Sequence, residues 1–188
     1  MVSGATYQGR GPNPWWQSEH FMMENENYLT ESLKSYYMFD LKKLFSMKDS
    51  NLQSIDDGLE DILNEINTHN NFQTLYSKKF KTNPDLFIIE GKSYLELAFT
   101  KNSENLLLGL LNKVKEANKC NESQINIIQY EPSGNPNYQV NPLIEIGCIN
   151  NTDYFRIKRI KIEIESLKMN CHDLFWENIQ AVFKFNIN

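Results

Sequence analysis

The chain has 188 residues, of which 40% are hydrophobic and 23% charged, with a net charge of −5 and a pI near 5.3. That composition supplies one compact core, is too apolar for intrinsic disorder, and argues against a protein that binds nucleic acid over its whole surface. No run of roughly 20 apolar residues occurs, so no membrane span is expected, and the N-terminus lacks the basic-then-apolar pattern of a secretory signal.

Residues 1–17 read as an extended arm, because Gly4, Gly9, Gly11, Pro12 and Pro14 break regular structure. Arg10 on this arm suits insertion into a DNA groove, while Trp15 and Trp16 suit either a partner or the chain's own core. Residues 18–188 read as one domain. Its first part, Ser18 to about Lys48, is mainly helical. Ser54–Asn67 is a second helix, with Ile55, Leu59, Ile62, Leu63 and Ile66 at spacings of three and four and Ser54, Asp56 and Asp57 suited to its start. Phe72–Tyr76 follows as a strand.

Asn83–Phe99 then reads as a β-hairpin: two short apolar runs, Leu86–Ile89 and Tyr94–Phe99, flank a break at Glu90-Gly91-Lys92. With the turn at Glu90-Gly91, Asp85 falls opposite Glu96; with the turn at Gly91-Lys92, it faces Ala98. Either register sets two carboxylates near one another on neighbouring strands, the arrangement that a divalent metal in phosphodiester chemistry requires. An Asp after Pro is also a common turn residue, and a Glu in an alternating strand is often merely solvated.

Asn102–Lys119 is a helix built on Leu106, Leu107, Leu110, Leu111 and Val114, and Ile125–Tyr130 is a further strand. Residues 134–142 form a loop among Pro132, Pro136 and Pro142. Its Asn135, Asn137 and Gln139 suit either turns or adenine edges. Tyr154–Lys161 is a basic strand with Arg156 and Lys158 on one face and Arg159 and Lys161 on the other. It serves either phosphate contact or a charge-guarded edge. Ile160, Ile162 and Ile164 then alternate with Lys161, Glu163 and Glu165, and Asp173–Phe185 reads as a short helix and a strand.

Helix, three strands, helix, strand, with Pro84-Asp85 opening the second strand and Glu96 within the third, resembles the PD-(D/E)XK nuclease family, most closely a small type II restriction endonuclease. The resemblance covers about residues 54–131. It implies an α/β restriction-endonuclease-like core with a mixed central sheet flanked by helices. It also implies metal-dependent cleavage of double-stranded DNA, with Asp85 and Glu96 as ligands to Mg²⁺. The position of the family's lysine, two residues beyond Glu96, holds Ala98. Lys101 is the nearest replacement, and Glu60 or Glu65 on the preceding helix would add a further acid. Glu-Gly-Lys at 90–92 is set aside because it lies in the turn. Arg10, Arg156, Lys158 and Arg159 are the candidate DNA contacts. Two-fold sites imply a homodimer. An RNA endonuclease of the cap-snatching kind, with His20 as an added ligand, and a non-catalytic binding or self-assembling structural protein are the alternatives.

His20, His69 and His172 stand far apart in sequence and suggest no metal spacing, and no Ser/His/Asp pattern is present. Cys120, Cys148 and Cys171 make no CxxC pair. They indicate neither zinc nor a disulfide framework, so a reduced, cytoplasmic setting is expected.

Overall fold

The computed structural model describes residues 27–46, 58–81, 91–132 and 157–186. They form eight elements: α1 (Glu31–Ser46), α2 (Glu60–Asn67), β1 (Phe72–Lys78), β2 (Lys92–Phe99), α3 (Glu104–Ala117), β3 (Gln124–Tyr130), β4 (Arg159–Glu165) and α4 (Met169–Asn186). The strands make one sheet in the order β1-β2-β4-β3, antiparallel at every junction, where a mixed sheet is expected from the sequence. Two β-β-α units thus meet at the central pair β2–β4, where Leu95 stands opposite Ile162.

Period-two alternation sorts the strand residues. Leu95, Leu97 and Phe99 of β2 and Ile160, Ile162 and Ile164 of β4 enter one core with Phe72 and Ile125. The helices cover this face with side chains at helical spacing. Ile62, Leu63 and Ile66 come from α2, Leu107, Leu110, Leu111 and Val114 from α3, and Phe175, Trp176, Ile179 and Phe183 from α4. α4 packs against both α2 and α3. α1 packs against β1, and its Leu33 and Tyr37 join Leu29, Ala98 and Ile157 in a second, smaller cluster.

Several expectations change. Gly58 adopts a left-handed φ of +86°, and α2 begins after it, at Glu60; the expected start at Ser54 lies outside the described residues. The expected strand near the C-terminus is the last part of α4, one continuous helix whose buried residues recur every three or four positions. The basic segment is not a guarded edge: β4 lies between β2 and β3. β2 has both edges occupied, with Tyr76 of β1 and Lys161 of β4 beside Glu96. The ladder neighbours of Glu96 are therefore not the 85–89 segment, which lies outside the described residues together with the arm at 1–17 and the loop at 134–142.

Cys120 and Cys171 form a disulfide across 51 residues, contrary to the expectation from their spacing. It ties the segment after α3 to the first turn of α4, two helices that already pack together. No helix among the described residues is long and apolar enough to cross a membrane.

Candidate functional site

The face of the sheet opposite the main core carries the charged strand residues. Where Leu95 and Leu97 turn toward the helices, Glu96 turns away from them, and so do Arg159, Lys161 and Glu163 where Ile160, Ile162 and Ile164 turn inward. Glu96, Arg159 and Glu163 are all buried, at 8%, 4% and 7% exposure. Burying a charge is costly unless it is paired, and these charges are. Arg159 Nε donates to Glu96 Oε1 at 2.8 Å. Lys161 Nζ lies 3.4 Å from Glu163 Oε1. Lys161 also sits 5.4 Å from the ring centre of Tyr94 and 5.7 Å from that of Tyr130, and the Arg159 guanidinium sits 5.1 Å from Tyr130. Burial opposes the charge of Lys161, but its bond to Tyr130 and the charges of Tyr130 and Glu163 hold its pKa above the ordinary lysine value.

Of the expected metal ligands, Asp85 lies outside the described residues, as do Arg10, Arg156 and Glu90. Glu96 is held by a guanidinium, so a metal ion there would face a fixed positive charge at hydrogen-bond distance. The described residues therefore do not fit Mg²⁺ at Glu96. No group of three or more His, Cys, Asp or Glu among the described residues is placed to hold a metal. Ala98 explains the absent lysine: it is fully buried beneath α1, in contact range of Leu29, Leu33 and Tyr37, where an ammonium would have been stripped of water. Lys101 is exposed in the turn after β2. Glu60 is exposed at the start of α2, and Glu65 accepts from Gln180 Nε2 at 3.4 Å. Both acids belong to the helical layer, with the sheet between them and Glu96. Lys158 reaches Glu104 at 3.9 Å and Glu131 at 3.8 Å, and Glu104 leads the influences that raise its pKa. Arg159, expected at a DNA surface, is buried.

A second polar cluster joins residues far apart in the chain. His172 Nε2 lies 2.8 Å from the Ser166 carbonyl oxygen, which only accepts, so Nε2 carries the proton. Nδ1 then accepts from Ser93 Oγ at 2.7 Å, and Ser93 Oγ accepts from the Phe80 N–H at 2.8 Å. The His172 ring stacks on Phe80 with centres 4.3 Å apart. A hydroxyl donating to an imidazole is the geometry of an activated nucleophile, but Ser93 and His172 are both fully buried, and every polar atom of the pair is used within the fold. This is a clasp between β2 and the start of α4. Burial lowers the pKa of His172, against the Ser166 carbonyl and Asp173, which raise it. The sequence holds no local signal for it, because Ser93 and His172 are 79 residues apart.

Lys34 of α1 donates to the Phe72 carbonyl and, at 3.2 Å, to Gln73 Oε1. Burial lowers its pKa to about 8.

Compared with models of protein families, with curated proteins and with solved structures, the chain matches none.

Proposed function

We propose that this chain is a non-catalytic binding module that works by assembling with protein partners through its sheet. The observation that carries this reading is the pairing of charge on the side of the sheet away from the main core: Glu96 with Arg159, and Glu163 with Lys161. A hydrolytic metal centre needs carboxylates whose negative charge is left for the cation. Here each buried acid has its own cation on the same or the adjacent strand, which suits a rigid platform. The net charge of −5 also favours a protein partner over a polyanion.

A second reading, the restriction-endonuclease-like, Mg²⁺-dependent DNA endonuclease working as a dimer, is favoured by one observation. Lys161 stands directly across from Glu96 on β4, and on this reading it would take the place of the lysine that Ala98 does not provide. Incubation of the full chain with plasmid DNA, and separately with a structured RNA, in Mg²⁺ or Mn²⁺ separates the two. The binding module leaves both substrates intact. Metal-dependent fragments that disappear with Glu96→Gln would overturn it in favour of the nuclease.

A further inference from the structure

Among the described residues β3 is an edge of the sheet, and its sequence, Gln-Ile-Asn-Ile-Ile-Gln-Tyr, contains no charge, no proline and no glycine. Edge strands are normally blunted by such residues or by bulges, because an open row of N–H and C=O groups templates pairing with another chain. β1, at the other edge, follows that rule: its register shifts between Thr74 and Tyr76, and it ends in Lys78. β3 pairs in regular register with β4 through all seven residues. Among the described residues nothing lies on its outer edge. Half-buried Ile127 and Ile128 add apolar surface there.

We infer that the outer edge of β3 is the assembly surface, and that its occupant is β3 of a second copy of this chain, antiparallel about a two-fold axis beside Ile127. This rests on the binding-module reading and names its partner. The pairing is self-complementary. Ile127 faces Ile127 of the partner, Ile125 faces Gln129, Asn126 faces Ile128, and Gln124 faces Tyr130, so all seven positions are matched with no like charges opposed. The acids that bracket the strand are compensated within the chain: Glu122 by Lys168 at 2.6 Å and Glu131 by Lys158 at 3.8 Å. Both ends of the ladder are bounded, by Glu122 in a left-handed turn (φ 65°) and by Pro132, which has no N–H to donate. The result is one continuous antiparallel sheet across two copies, within the span that open sheets sustain. A charged or proline-bearing foreign strand would lose this match.

The test combines mass and cross-linking on the full chain, with Cys148 replaced by Ser. Light scattering should give twice the 22.1 kDa chain mass at tens of micromolar. Opposed residues in an antiparallel pair have Cα atoms about 4.5–5.5 Å apart, within disulfide reach. Ile127→Cys should therefore link two copies under mild oxidation. Gln129→Cys should not, because the two copies of that residue lie about 13 Å apart in this register. Asn126→Lys with Gln129→Lys, both on the strand but outside the fully buried core, should weaken the dimer at least about tenfold while leaving the circular dichroism spectrum unchanged. A monomer at these concentrations overturns the inference, as does a dimer that neither links at 127 nor responds to the lysines. A monomer that also leaves nucleic acids intact defeats the β3 dimer alone. Metal-dependent cleavage defeats the binding-module reading beneath it.

Discussion

Glu96 and Arg159 show how a residue's role follows from what surrounds it. In sequence, the acid in the third strand of the nuclease-like order reads as a metal ligand. In the fold it accepts from a buried guanidinium at 2.8 Å. Removing one member of a buried ion pair strands the other, at a cost of about 3–5 kcal/mol, whereas replacing both with apolar residues is often neutral. Glu96→Gln should therefore be strongly destabilising in urea unfolding, and Glu96→Leu with Arg159→Met should recover most of the loss. Additive losses would show that the two side chains do not act as a pair. His172 gives a pH prediction. Its pKa is depressed in the fold, below the ordinary 6.5, chiefly by burial. At pH 8 native and unfolded forms are both neutral and stability is full. As pH falls below about 6.5 the unfolded chain takes up a proton that the native chain resists, so stability declines until the native pKa is reached. His69 acts in the same direction, through burial and then Lys34, with Glu65 opposing. His172→Gln should reduce the slope of unfolding midpoint against pH between 8 and 5, leaving the part due to His69. An unchanged slope would contradict the buried neutral assignment.

The elements divide by how local their causes are. α2 and α3 are legible in the sequence because Ile62, Leu63, Ile66 and Leu107, Leu110, Leu111, Val114 repeat with the helix period, and only their ends move. The end of α4 misleads because Phe183-Lys184-Phe185 alternates like a strand; Ile179, one turn before, and Phe175 and Trp176, two turns before, are buried and decide for helix. The pairing of β4 with β2 spans more than 60 residues and leaves no local trace, so the candidate site built on a β2 hairpin has the wrong neighbours. The Cys120–Cys171 disulfide is hidden for the same reason. Closing a loop of 51 residues restricts the unfolded chain by about 4 kcal/mol in the chain-entropy account. Cys171→Ser should lower stability by an amount of that order, and peptide mapping without reductant should recover Cys120 and Cys171 as one linked pair. Two glycines test the packing of elements in opposite directions. A Cβ on Gly91 would lie 2.5 Å from the Ser166 carbonyl oxygen, whose own residue donates back to the Gly91 carbonyl, so Gly91→Ala should destabilise the β2–β4 junction. A Cβ on Gly109, within α3, meets nothing within 4 Å, and Gly109→Ala should stabilise by about 0.5–1 kcal/mol.

At the scale of the whole molecule, one antiparallel sheet separates two environments. One side is a continuous apolar core under α2, α3 and α4, and the other is a layer of paired charges and tyrosines partly covered by α1. The α/β class and the helices beside the sheet were legible from periodicity. The chemistry of the charged layer was not, because it depends on which strand supplies the counter-ion. On the binding-module reading this layer is internally neutralised and takes up no divalent cation. Calorimetric titration of the full chain with Mn²⁺, which occupies oxygen-donor sites of this kind, tests that claim most directly. No stoichiometric uptake is expected up to millimolar metal, in the wild type and in Glu96→Gln alike. Binding of one or two equivalents that vanishes in Glu96→Gln would contradict it and return Glu96 to the role of a metal ligand.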